Sequence, residues 1–393
     1  MKIAHFYDHT YYRHGSAVYS SGAFTVSSWS RYLSVFDGLT VVANLGEETT
    51  EVERLNRVDA PGVSFHFLPN ARDPLNFLRY QLGSVRELRD IIEAHDVVAV
   101  RLPSEIGLFA IQYAKRIGKP YAVEVVGCVY DAYWNHGSLK GKMMAWPSFW
   151  AMRRAIRNAP HAIYVTERFL QNRYPTRGRQ AHASNVDLAV DTTGTVLEQR
   201  LRKIRSGRGE VLNFGLIGSS NVRFKGHREA VLALAALARR GVRAKLHLVG
   251  PGETGWLREI ARAQGVTDAL TLHGKLPAGK PILDFLDGLD LYVHPSRQEG
   301  LPRTVIEAMT RGLPVVASSI AGIPELIEPQ FLHEVGDVSG LEELLLKYAE
   351  MSTAEEEAVA RRNFQHATNY DRDQLEGRRI AFWREVRNTV NSR

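Results

Sequence analysis

The sequence predicts an α/β protein of two doubly wound domains, on three observations. Short apolar, β-branched runs alternate with amphipathic segments almost throughout the chain. Its 393 residues exceed one ordinary core and suit two, at ~150 residues per domain. A charged, Gly-containing stretch poor in large apolar residues, 191–210, divides the alternation into two halves.

In the first half KIAHFY, LTVVANL, VSFHFLP, DVVAVRL, PYAVEVVG and HAIYVT read as strands, and 86–94 and 108–117 as helices. In the second half the strands are VLNFGLIG, AKLHLVG, ALTLHG, LDLYVHP and LPVVASS, with helices at 227–240, 257–263 and 304–310. Strands that read as near-continuous apolar runs, separated by helices, imply parallel sheets covered on both faces. The expected plan is two Rossmann-like domains, 1–190 and 210–372, joined by a linker at 191–209. Helical periodicity resumes at 374–390 through Leu375, Ile380, Phe382, Trp383 and Val386. A helix that apolar must pack on something, and the first domain is the candidate for a terminal helix at 373–393.

Composition narrows the function classes. Apolar residues at 44% and charged residues at 24% exclude disorder over most of the length. Cys128, the one cysteine, excludes a disulfide framework and a Cys-cluster zinc site, and fits a reducing, cytoplasmic setting. The start, MKIAHFYD, reads as a buried strand rather than a leader, and no run reaches the ~18 apolar residues of a membrane span. The net charge is +7, from 50 basic and 43 acidic residues. It is not spread evenly. Residues 115–179 hold twelve basic and three acidic side chains, a local +9, leaving −2 for the remainder.

Two motif matches are decoys. Gly250–Gly255 fits G-x-G-x-x-G after a strand, but the next strand ends in His273-Gly274 without the acid that binds a ribose. Residues 274–280 fit G-x-x-x-x-G-K, but Pro281 stands where Ser or Thr would hold magnesium, and no helix is expected to open at Lys280. No H-E-x-x-H, C-x-x-C or G-x-S-x-G occurs, and His5 and His9 around Asp8 read as structural or substrate-facing.

The strongest constellation is EGLPRTVIEAM, starting at Glu299 just after LDLYVHPS. Glu299 falls in the loop at a strand's carboxyl end, and Glu307 follows on a helix whose first-turn amides suit a phosphate. Two carboxylates at that spacing can hold two hydroxylated ends of one ligand by charge-assisted hydrogen bonds. Alternatively Glu299 complements the helix dipole and Glu307 is a solvated face. VLNFGLIGSSNVRFKGHREA adds a Gly/Ser turn with Arg223 and Lys225, which describes an anion cradle or two surface cations.

Together these residues resemble the GT-B fold glycosyltransferases of family 4, which retain configuration and use nucleotide sugars; the likeness is strongest over 211–326. The resemblance implies two Rossmann-like domains facing a cleft. It implies catalytic roles for Glu299, beside the donor sugar, and for Lys225, with Arg223, at the leaving diphosphate. Gly300 and Leu301 would line the diphosphate and Glu307 would bind the ribose. Lys275 and Leu276 would meet the base, and Gly22 would approach the phosphates from the first domain. Gly218, Ser219, Gly250, Arg303 and Thr304 complete the expected donor side. No metal and no cofactor beyond the nucleotide sugar is implied.

This chain departs from the family pattern at three positions. Ser219 stands where the family often has an arginine, so that Arg223 or Arg303 would replace its charge. Ser21-Gly22 replaces a Gly-Gly pair, and Val126 replaces a His beside the transferred sugar. On the acceptor side Asp8, Asp131 and His136 are the candidates.

The basic window includes 137–160, where Lys140, Lys142, Arg153, Arg154 and Arg157 mix with Met and Trp residues. Two readings stay open. It is an interfacial helix on an anionic membrane, which points to a glycan or lipid-linked acceptor in cell-surface polysaccharide or glycolipid assembly at the inner face. Or it is an ordinary amphipathic helix buried under the first sheet. The alternatives to glycosyl transfer are a nucleotide-sugar epimerase or phosphorylase on the same fold and, remotely, a basic nucleic-acid-binding protein. For nucleic acid no recognition motif is present, and no such partner is expected.

Overall fold

The β-branched runs build two sheets, one in each unit of a computed structural model that describes residues 1–21, 24–47, 52, 55–68, 85–135 and 138–391. The first unit comprises Met1–Ala183 with Glu376–Arg393, and the second Ser184–Leu375.

The first sheet contains β1 (Lys2–His14), β2 (Ala17–Ser20), β3 (Gly38–Leu45), β4 (Asn56–Arg57), β5 (Val63–Leu68), β6 (Val97–Leu102), β7 (Tyr121–Val125), β8 (His161–Tyr164) and β9 (Arg179–His182). Its parallel part runs β5-β3-β1-β6-β7-β8-β9. Every residue of β7 is buried, as expected of a central strand covered on both faces. β1 is longer than KIAHFY implied. Its register on β3 shifts between Phe6 and Thr10, and Tyr11–His14 then pair antiparallel with β2. A bulge of this kind lets one strand serve two partners, so Asp8 and His9 lie within β1.

The terminal helix Arg372–Asn391 belongs mostly to this first unit. Trp383 is fully buried, 5.0 Å from the Tyr32 ring, and Arg31 bonds Glu376 at 2.8 Å.

In the second unit β10 (Leu212–Ile217), β11 (Ala244–Val249), β12 (Leu270–Gly274), β13 (Leu291–His294), β14 (Val315–Ser318) and β15 (Leu332–His333) form a parallel sheet. Its order is β12-β11-β10-β13-β14-β15. The order reverses between β10 and β13, and at such a switch point the two following loops diverge and leave a crevice. Leu234, Leu246, Leu257 and Leu345 pack in the core on the sheet.

Residues 191–209, expected as a linker, hold the helix Thr195–Arg205 inside the second unit. The charge that suggested solvent is what docks it. Buried Arg200 donates to the carbonyls of Leu286, Leu289 and Arg311, while Leu201 and Ile204 pack on Ala360. A helix does open at Lys280, over Lys280–Gly288, because Ile282 and Leu286 supply a buried stripe. Pro281 still leaves that loop without a metal-binding hydroxyl.

Candidate active site

The second sheet brings the Gly/Ser turn after β10 beside the loop after β13. Gly226 takes a left-handed φ of +79°, and a Cβ there would lie 2.1 Å from the Pro295 carbonyl oxygen. Only glycine lets the backbones approach this closely. The contact is fastened by Arg297 N–H and Ser296 Oγ, both donating to the Phe224 carbonyl at 2.7 and 3.1 Å. Arg297 also pairs with buried Glu229 at 2.5 Å. Gly226→Ala is expected to destabilise the fold by about 2 kcal/mol or more and to part the two loops. Urea unfolding checks the first effect, and faster hydrogen exchange of the Arg297 amide, which donates to the Phe224 carbonyl, checks the second.

The result of that packing is a cluster on one carboxylate. Lys225 Nζ lies 2.7 Å and His294 Nε2 2.9 Å from Glu299 Oε1. Among the described residues Oε2 has no partner. Burial alone would raise the Glu299 carboxyl, but His294 and then Lys225 outweigh it and hold it at about 2. The arrangement is an ionised carboxylate in a buried setting, with an acceptor oxygen left over and a partly exposed ammonium beside it. His294 is oriented by its neighbours, since Nε2 must donate to Glu299 while Nδ1 faces Tyr292 Oη at 3.5 Å.

Gly300 and Leu301 lead from Glu299 to buried Pro302, which starts the helix Arg303–Thr310. Val305, Ile306 and Met309 are its buried side. Glu307 is 3.5 Å from Arg303, and burial pushes its carboxyl up against the opposing pull of that arginine. Thr304 lies on the same first turn.

The turns after β10 and β11 interlock. Ser219 Oγ donates to the Pro251 carbonyl at 3.0 Å, and a Cβ on Gly250 would strike the Gly218 carbonyl oxygen at 1.9 Å. Gly250 N–H donates to Gly274 at the end of β12, where exposed Lys275 and half-buried Leu276 follow. Gly218, Ser219, Gly250, Lys225, Glu299 and the start of the Arg303–Thr310 helix thus share the carboxyl edge of one sheet. Arg223 does not touch Glu299. Its guanidinium stacks over Trp256, 3.7 Å from the ring centroid.

The acceptor-side candidates do not form one cluster. Asp8 accepts from the amides of Glu105 and Ile106 at the start of the helix Glu105–Arg116, and burial pushes its carboxyl up. It also lines a groove of about 550 Å³ with Leu108, Tyr133, Met144, Pro147 and Ser148. Asp131 pairs with Arg173 at 3.0 Å. Gly22 and His136 lie outside the described residues.

Sequence reasoning missed His294, Arg297, Glu229 and Trp256. His294 had a signal, a histidine ending the strand LDLYVHP five residues before Glu299. The other three act through partners distant in sequence and had none.

A model of the glycosyl transferases group 1 family matches residues 212–350, which contain the Lys225, His294 and Glu299 cluster. Protein CapJ of Staphylococcus aureus is 31% identical over 327 residues, spanning 83% of this chain and 81% of that one. A GDP-mannose-dependent alpha-mannosyltransferase of Mycolicibacterium smegmatis is 27% identical over 253 residues, 63% of this chain and 62% of its own. Among solved structures, Anabaena HepE in complex with UDP superposes with a TM-score of 0.65 at 16% identity, covering 100% of both chains. That likeness concerns the fold.

Proposed function

The chain belongs to the glycosyl transferases group 1 family, and from that premise we propose a retaining, metal-independent hexosyltransferase of family 4. It moves a sugar from a nucleotide-diphosphate sugar to a glycan or lipid-linked acceptor in cell-surface polysaccharide assembly at the inner face of the membrane. The observation that carries the reading is the Glu299 carboxylate held by Lys225 and His294 at the switch point between β10 and β13. Relatives are named for a GDP-mannose donor or solved with UDP-glucose, so a nucleotide sugar is the natural occupant of such a site.

In the transfer the bond from the anomeric carbon to the diphosphate oxygen breaks, and the acceptor oxygen bonds that carbon on the same face. The acceptor's proton passes to the leaving diphosphate. Negative charge grows on the diphosphate, so donors already aimed at it supply the largest protein contribution. Lys225 has N–H donors beyond the one given to Glu299, and the amides of Gly300, Leu301 and the first turn of Arg303–Thr310 add a helix-dipole field. Arg223, on its Trp256 platform, contributes a further charge. Glu299 Oε2 accepts a hydroxyl of the donor sugar and Glu307 the ribose hydroxyls. The groove beside Asp8 is apolar enough for the lipid-proximal part of an acceptor.

Nucleoside diphosphates are screened first by thermal shift and the matching sugars are then assayed with a lipid-linked glycan acceptor. The expected product keeps the donor's anomeric configuration by NMR, and turnover is unchanged in EDTA. An epimerised nucleotide sugar without acceptor, or release of a sugar phosphate, would replace this reading.

A further inference from the structure

The helix Leu139–Arg157 turns two different faces to its surroundings. Gly141, Ala145, Phe149, Met152, Ala155 and Ile156 are buried in the first unit. Opposite them Leu139, Met143, Trp146 and Trp150 are 76%, 71%, 54% and 59% exposed. Their spacing of four, three and four residues puts all four on one stripe. Burial under the sheet explains the first face and leaves the second unexplained. A contiguous exposed apolar stripe marks an interaction surface.

Past Trp150 the stripe becomes cationic. Trp150, Arg153, Arg154, Arg157, Asn158 and Arg177 wall a cavity of about 480 Å³. Arg153 is fixed at its wall by donating to the Arg173 carbonyl at 2.6 Å, and the Arg177 amide donates to the Arg157 carbonyl at 3.0 Å. Residues 137–160 contain no acid, and among the described residues none of these four arginines has a carboxylate partner. Lys115 adds to the same field, its amine lowered by burial and by Arg154. So many unpaired cations around one cavity call for an anion, and the arginine fork matches phosphate.

We propose that this cavity binds the phosphate headgroup of an anionic membrane phospholipid, while Leu139, Met143, Trp146 and Trp150 enter the interface beside it. No helix among the described residues is long and apolar enough to cross a membrane, so the contact is with the surface. Tryptophans suit the headgroup level, where one edge of the ring is wet. A nucleic acid would account for the arginines but not for Leu139 and Met143. The surface shares no residue with the proposed donor site, and its failure would leave the glycosyl-transfer reading untouched.

The test is vesicle flotation of the full chain, on phosphatidylcholine with or without phosphatidylglycerol. The chain is expected to partition onto the phosphatidylglycerol vesicles and to release as salt rises. At about fivefold per cation, Arg154→Gln with Arg157→Gln should weaken partition about 25-fold. Trp146→Ser with Trp150→Ser should weaken it and abolish the blue shift of tryptophan fluorescence. Thermal melting and nucleoside-diphosphate binding should stay as in the parent, because all four side chains are exposed. The proposal is overturned by absence of partition, or by equal partition on neutral vesicles unaffected by the arginine pair. Full displacement by millimolar inorganic phosphate or by a short oligonucleotide would also overturn it, assigning the cavity to a free anion or to nucleic acid.

Discussion

Lys225→Ala is expected to lower kcat/KM for sugar transfer by about 10²–10³-fold, the usual loss when one preorganised donor to a developing anion is removed. Most of the loss should fall on kcat, since the charge proposed to face Lys225 is largest as the diphosphate leaves. The residue is also a structural partner, and its removal leaves Glu299 with His294 alone. Breaking a fully buried pair costs about 3–5 kcal/mol. Lys225 is 26% exposed and His294 remains, so about 1–2 kcal/mol is expected, which the fold survives. Steady-state kinetics on protein shown to be folded by calorimetry checks both parts, and near-parental turnover would remove Lys225 from the mechanism.

Glu299→Ala should be at least as severe, about 10²-fold or more in kcat/KM, because it removes the acceptor proposed for the donor sugar and releases both Lys225 and His294. The conservative Glu299→Gln separates charge from shape through pH. The Glu299 carboxyl lies at about 2 in the folded chain against the ordinary 4.5. A depressed carboxyl contributes stability that is present above its unfolded pKa and is lost as pH falls through the folded one. The parent should therefore lose a few kcal/mol of unfolding free energy between about pH 4.5 and 2 through this group. In Glu299→Gln that part of the acid slope should vanish, so the two curves converge toward pH 2. Urea melts across this range read the difference, and parallel curves would show that the buried pair is not what holds Glu299 ionised.

Much of the candidate site was legible because its parts are local. Glu299, Gly300, Leu301, Thr304 and Glu307 follow one strand–loop–helix unit, in which strand end, turn and first helical turn fix spacing without help from elsewhere. The same holds for Gly218, Ser219 and Lys225 after β10. His294 was within reach, as the last residue of β13. The pairing of Lys225 with Glu299 was not, because it spans 74 residues and depends on the close approach at Gly226. Arg297 with Glu229 and Arg223 with Trp256 were hidden for the same reason.

Elsewhere local reading erred where charge stood for exposure. The helix Thr195–Arg205 looked like a linker because three arginines and a lysine dominate it, yet Arg200 is buried among carbonyls that only the folded second unit assembles. At Lys280 the glycine and proline obscured a helix that its buried stripe secures.

By itself, then, the sequence determined two α/β units, since strand and helix periodicities follow from which side chains must leave water. It also determined the residue types of the candidate site and a +9 segment within a +7 chain. The tertiary structure decided which of those residues touch. It also decided which face of Leu139–Arg157 looks outward, a choice periodicity leaves open when both faces are apolar. Contact between distant segments depends on how sheets and helices pack, and no window of neighbouring residues contains that information.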